Sequence, residues 1–266
     1  MKNLSIFAVA MAAMAFTACG GNKSAKTEET EEVKSFEQDQ VEQVIKIELD
    51  SLASELGKLK KLPVITESED GIQLTAEEKQ VKPDYLLTPS AAENATTLSE
   101  KYRLLSALSV DKQVASMYEM PVDEYEAAIT KLVADINDPS FKEIEDEGTI
   151  FETSQALYEA MNKNGRINYF WQLVATSLVE ELYVMTQNID KFITAFDDES
   201  ASSVTFRIVL LTDAIARLAD YDSEFVPLAE AIKPLVVLNA ISVDEFKGQL
   251  IEVKEQVAAS RKALVE

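Results

Sequence analysis

The chain has no histidine, one cysteine and seven glycines in 266 residues, and its 25 Lys+Arg are outnumbered by 47 Asp+Glu. Each scarcity closes off some chemistry. Histidine is the commonest general acid–base and the commonest transition-metal ligand. Its absence excludes Ser–His–Asp and Cys–His nucleophiles and the Glu-x-x-His pairs of ferritin-like di-iron bundles. A single cysteine forms no internal disulfide and supplies no zinc or iron–sulfur site alone. The formal charge of −22 disfavours nucleic acid as a partner, because that affinity comes from Lys and Arg neutralising phosphates. It equally disfavours docking on anionic lipid through basic residues. No Gly-rich phosphate loop and no G-x-S-x-G elbow is present, so neither signature of nucleotide or acyl chemistry can be read. The inventory implies no cofactor and no metal. Hydrophobic residues nevertheless make up 47%, enough for a substantial core.

The N-terminus carries the most specific signal. Met1-Lys2-Asn3 is a positive start, and Leu4 to Phe16 is apolar apart from Ser5. That stretch is shorter than the roughly 20 residues of a membrane-spanning helix but suits a signal-peptide core. Phe16-Thr17-Ala18-Cys19 resembles the bacterial lipobox, with Phe16 in place of the usual Leu. The resemblance implies that residues 1–18 are a lipoprotein signal peptide and that Cys19 is diacylated, becomes the first residue and is then N-acylated. An ordinary signal peptide followed by a buried Cys is the alternative. Two or three acyl chains hold a protein on a bilayer where one does so only marginally. The lipid bilayer, reached through acylated Cys19, is therefore the first expected partner. Gly20-Gly21 follows with no Asp next to the cysteine, which by resemblance to enterobacterial sorting suggests the outer membrane. Bacteroidota-type lipoproteins often reach the cell surface when acids lie just after the cysteine; here Asn22 and Lys23 occupy that region and the first acid is Glu28, which by that resemblance favours the periplasmic face.

Residues 19–35 read as the acylated cysteine and a flexible acidic tether, too poor in apolar groups to offset its ordering entropy. A recognition tail is the competing reading. From residue 36 to 266 the pattern is that of one helical domain. Val41, Ile45, Leu49, Leu52, Leu56 and Leu59 form one helical stripe, stopped by Pro63. Residues 64–87 are the hardest to read; the capping-box matches Thr66-x-x-Glu69 and Thr75-x-x-Glu78 predict short helices or an irregular insertion. Thr88-Pro89 predicts a helix start leading to Leu98, Tyr102, Leu105 and Leu108, and Ser109 a cap for a further segment. Met120-Pro121 opens the next helix and Asp138-Pro139 ends it. Thr149-x-x-Glu152 begins another, stopped at Asn164-Gly165. Ile167 to Met185 is apolar over most of its circumference, which marks the central helix of a bundle, while Glu180-Glu181 argues against a membrane span. Helices then follow from Asp197-Asp198-Glu199, around Phe225 to Leu238, and from Ser242-x-x-Glu245 to the end. The fold class is all-α, a multi-helix bundle behind a signal peptide and tether.

Three groups are candidate sites. Paired carboxylates can hydrolyse glycosides without histidine, but 47 acids produce such pairs by chance. Asp197-Asp198-Glu199 could attract a hard cation; a helix start enriched in acids by the macrodipole is the simpler explanation. Arg166, Asn168, Tyr169 and Trp171 join a guanidinium, an amide and two aromatics, a set that could line a ligand cleft or simply pack the core.

Cys19-Gly20-Gly21-Asn22 after the lipobox, the acidic tether and runs such as Lys82-Pro83-Asp84-Tyr85-Leu86-Leu87 look like a Bacteroidota-type envelope lipoprotein. The specific part covers about the first twenty residues and implies no activity. The expectation is a non-catalytic, membrane-anchored helical lipoprotein that binds or scaffolds another envelope component, such as an envelope protein. A small-molecule or peptide-binding module with a cleft near Trp171 is the alternative, and a carboxylate-only hydrolase the third reading.

Overall fold

The computed structural model describes residues 36–59, 72–143 and 154–266. The segments read from the sequence as signal peptide (1–18) and tether (19–35), with Cys19, and also Pro63, Thr66-x-x-Glu69 and Thr149-x-x-Glu152, lie outside the described residues. Packing divides the chain into Met1–Gln40 and Val41–Glu266, and the buried core belongs to the second unit. Among the described residues the regular elements are helices and no strand occurs. None of these helices is long and apolar enough to cross a membrane.

The first helix, α1 (Phe36–Gly57), uses the stripe read from the sequence: Leu49 and Leu56 are buried together with Ala53, while Ile45, Leu52 and Leu59 pack against the core. Asp50 on its flank accepts from the Tyr158 hydroxyl. The short α2 (Ala76–Gln80) begins at a complete capping box of Thr75 and Glu78.

Thr88-Pro89 opens only a 3-10 turn, Pro89–Asn94, and the Thr88 side chain makes no cap. The long helix α3 (Leu98–Met117) begins instead at Thr97, whose side chain and that of Glu100 satisfy each other's backbone N–H groups. Ser109 starts nothing. It sits inside α3, its hydroxyl donating back to the Leu105 carbonyl at 2.7 Å, the alternative open to a mid-helix serine. α3 ends with Glu119 at φ 53, and the N–H groups of Glu119 and Met120 reach the carbonyls of Ser116 and Ala115. α4 (Asp123–Ile136) is closed by left-handed Asn137 rather than by Asp138-Pro139. Pro139 instead opens α5 (Pro139–Glu143).

α6 (Ser154–Lys163) stops as expected at Asn164-Gly165. Gly165 takes φ 68, its N–H reaches the Asn162 carbonyl and the Arg166 N–H reaches that of Met161. This is a Schellman cap, and a side chain at Gly165 would be strained in it. α7 (Ile167–Gln187) is central: it packs on α3 and α6, on α8 (Ile189–Phe192) and α9 (Asp198–Ala219), and on α10 (Val226–Ile232) and α12 (Lys254–Val265). Asp197 caps α9 by accepting from the Ser200 N–H. Arg217 pairs with Asp213 one turn away at 3.1 Å, and also with Glu48 of α1. The final stretch is two helices rather than one. α11 (Val243–Glu252) starts at Ser242, and Val253 separates it from α12.

Candidate functional site

The four candidate ligand-facing residues do not share a face. Helix positions two apart point in nearly opposite directions, so Tyr169 and Trp171 diverge at the start of α7. Tyr169 stacks on Tyr102 with ring centres 4.5 Å apart, and the Arg166 guanidinium lies 5.8 Å from the Tyr169 ring. Arg166, Asn168 and Tyr169 are half-buried. Trp171 is 0% exposed, edge-on to Phe170 and Tyr158, and is core. A single cleft lined by all four is therefore not what this segment builds.

The polar chemistry the sequence left unread lies along α7. Gln172, Thr176 and Glu180 recur at four-residue spacing and are all buried. Arg103 of α3 donates to the Gln172 carbonyl oxygen at 3.3 Å and to the Leu264 carbonyl at 2.9 Å. About two turns further along α7, Arg261 of α12 donates through Nε to both oxygens of Glu180, at 2.9 and 3.0 Å. Its guanidinium also lies 4.2 Å from the Tyr183 ring centre and donates to the Tyr85 carbonyl at 3.3 Å. Asp111 of α3 completes the group, accepting from the Leu87 N–H at 2.7 Å, with Arg261 at 3.8 Å.

Two carboxyls and one guanidinium in a dry site are not all ionised. Burial pushes both carboxyls upward, and the charge of Glu180 pushes Asp111 well above the usual range. Arg261, beside Glu180, opposes that rise and favours its carboxylate form. For Asp111, burial and the neighbouring Glu180 charge outweigh the Leu87 N–H and Arg261, so its protonated form is favoured. Another buried acid, Glu181, faces α9: Ser177 donates to it at 3.1 Å. Burial raises its pKa to about 7, against the pull of Arg207. Arg207 also donates to the Leu59 carbonyl beyond α1. Neither group offers open carboxylates flanking a bond, since Asp111 and Glu180 are 0% and 1% exposed. Their evident work is to tie α3, α7, α9 and α12 together.

Elsewhere the described residues bring no three His, Cys, Asp or Glu into a metal-holding group. Asp197 is occupied as a helix cap and Asp198 accepts from the Val243 N–H at 2.9 Å. A cavity of ≈ 10 Å³ lined by Leu178, Ile208, Leu211, Thr212 and Leu235 is about the size of one water. Its apolar lining gives a ligand almost nothing polar to hold. On the surface, Phe206 and Val209 on α9, with Val237 and Ile241 in the segment beside it, are all exposed. No protein-family model matches the chain, and neither a curated protein nor a solved structure matches it.

Proposed function

We propose that the chain is a membrane-anchored, non-catalytic helical lipoprotein that binds another component of the cell envelope. The reading of the anchor rests on the lipobox-like Phe16-Thr17-Ala18-Cys19. The observation that carries the binding role is the contrast between inside and outside. The buried acids Asp111, Glu180 and Glu181 are engaged by neighbouring side chains or backbone, whereas apolar side chains of α9 stand in solvent. Large apolar side chains standing together in solvent mark contact surfaces for other macromolecules. Burial of Trp171 weighs against a ligand cleft at that residue.

The anchor is tested by Cys19→Ala, which is expected to lose palmitate label and membrane retention; a labelled, membrane-held variant overturns it. The binding role is tested by crosslinking in intact cells, followed by detergent solubilisation and affinity purification of the full chain. A stoichiometric envelope component is expected. Recovery of the bare monomer under crosslinking overturns the reading.

A further inference from the structure

On α9 the inward stripe of Val204, Ile208, Leu211, Ile215 and Leu218 is complete and buried. An amphipathic helix then needs polar residues on the opposite side. Phe206 and Val209 stand there instead, 57% and 51% exposed. The segment 233–241 runs antiparallel beside them: Leu235 meets Leu211 and Thr212 at the small cavity. Further along, the Thr205 hydroxyl donates to the Ala240 carbonyl at 2.7 Å and Ser202 to that of Ile241 at 3.3 Å. Val237 and Ile241 of this segment are also exposed, 53% and 71%, so the segment extends the apolar surface next to α9. Helix and segment together present an apolar strip along the N-terminal half of α9.

The strip has a charged end. The Val243 N–H donates to the Asp198 carboxylate, so the acidic first turns of α9 and α11, with Asp198, Asp244 and Glu245, meet beside Ile241. The nearest lysine on α11, Lys247, is engaged by Asp190 at 2.7 Å. A second copy of this chain would bring another −22 against that end, and an anionic lipid surface would be repelled as well. We infer that this strip is the docking face for a cationic amphipathic helix of a partner protein, apolar residues along Phe206, Val209 and Val237 and Lys or Arg against the acidic end. The inference rests on the binding role proposed above and names its surface and partner chemistry.

The probe is a fluorescein-labelled 18-residue Leu/Lys peptide with leucines at i, i+3, i+4 and i+7, titrated into the full chain in detergent and followed by anisotropy. Phe206→Ser with Ile241→Ser is expected to weaken binding at least tenfold with an unchanged circular dichroism spectrum. Ile251→Ser, exposed on α11 outside the strip, should leave binding as it was. A Leu/Glu peptide of the same pattern should not bind. Equal binding to the double variant overturns the inference, since it reduces the contact to diffuse charge attraction. Sedimentation velocity showing a dimer abolished by Phe206→Ser assigns the strip to a second copy and also overturns it. So does flotation with phosphatidylcholine vesicles that depends on Phe206 in the Cys19→Ala background. Crosslinking separates the two levels. A cellular partner retained by the double variant refutes this face and keeps the binding role, whereas no partner of the wild-type chain refutes both.

Discussion

Replacing Arg261 by Met keeps most of the side chain's length and its apolar stem but removes the guanidinium at the centre of the α3–α7–α12 contact. Two donations to Glu180, one to the Tyr85 carbonyl and the stacking over Tyr183 disappear together. Glu180 is then a carboxylate with no cation in a site that is 1% exposed. Breaking a buried pair from one side costs about 3–5 kcal/mol, a large part of the roughly 5–15 kcal/mol that holds a domain folded. Replacing both partners leaves no charge to solvate, so Arg261→Met with Glu180→Gln should lose markedly less than the sum of the single changes. Urea unfolding followed by circular dichroism, in a double-mutant cycle at pH 7.5, measures the coupling. We expect an interaction energy within about 0.5–3 kcal/mol, the span found for groups in direct contact, and towards its upper end. The single change should also become less costly as pH falls, because protonation neutralises the stranded Glu180. A cost below about 1 kcal/mol, the ceiling for exposed pairs, would refute the claim that Arg261 organises this interior.

Glu181 makes stability pH-dependent in the opposite sense to a salt-bridged acid. Its folded pKa is about 7 against a reference of 4.5, so between these values the folded state holds the extra proton. Stability is therefore lost as pH rises through that window, by about 3 kcal/mol at 1.36 kcal/mol per pKa unit. Urea midpoints from pH 5 to 8 should fall for the wild type and fall less for Glu181→Gln; parallel curves would show that Glu181 ionises freely. Trp171→Ala should cost about 3–5 kcal/mol, read by circular dichroism because it removes the only tryptophan. A loss under about 1 kcal/mol would place the indole at a surface.

The elements most legible in the sequence were those fixed by local chemistry. The α1 stripe, the Thr75–Glu78 box, the Gly165 stop and the acidic start of α9 each depend on residues within one or two turns. Errors arose where two local signals competed. Thr88-Pro89 has the composition of a helix start, yet Thr97 with Glu100 offers two reciprocal bonds where Thr88 makes none. Ser109 resembles a cap only if its own helix ends, and its hydroxyl had the Leu105 carbonyl available. The buried polar cluster was legible in part. Glu180-Glu181 on a helix otherwise apolar all round is a recognisable anomaly, since acids on a central helix need partners. Nothing local pairs Glu180 with Arg261, 81 residues away, or brings Asp111 to both. Trp171 and Tyr169 could have been separated beforehand, because two steps along a helix place side chains on opposing faces.

The two sides of α9 distinguish what folding requires from what it merely tolerates. Inward, Val204, Ile208 and Leu211 fill the core, and Arg207 meets Glu181 and the Leu59 carbonyl; truncating Ile208 or Leu211 to Ala should cost about 2–5 kcal/mol. Outward, Thr205 and Ser202 already fix the neighbouring segment through hydroxyl donations to Ala240 and Ile241. Phe206 adds nothing to those bonds, and its ring stays more than half exposed. A serine at this exposed position should therefore change stability by no more than about 0.5 kcal/mol, as surface substitutions usually do. A large aromatic that folding does not need, standing in water beside Val209 and Val237, is a surface feature in search of a cause outside the fold. That makes Phe206 the residue at which stability and binding separate most cleanly: a variant there that folds normally and binds normally removes the reason for treating α9 as a docking helix.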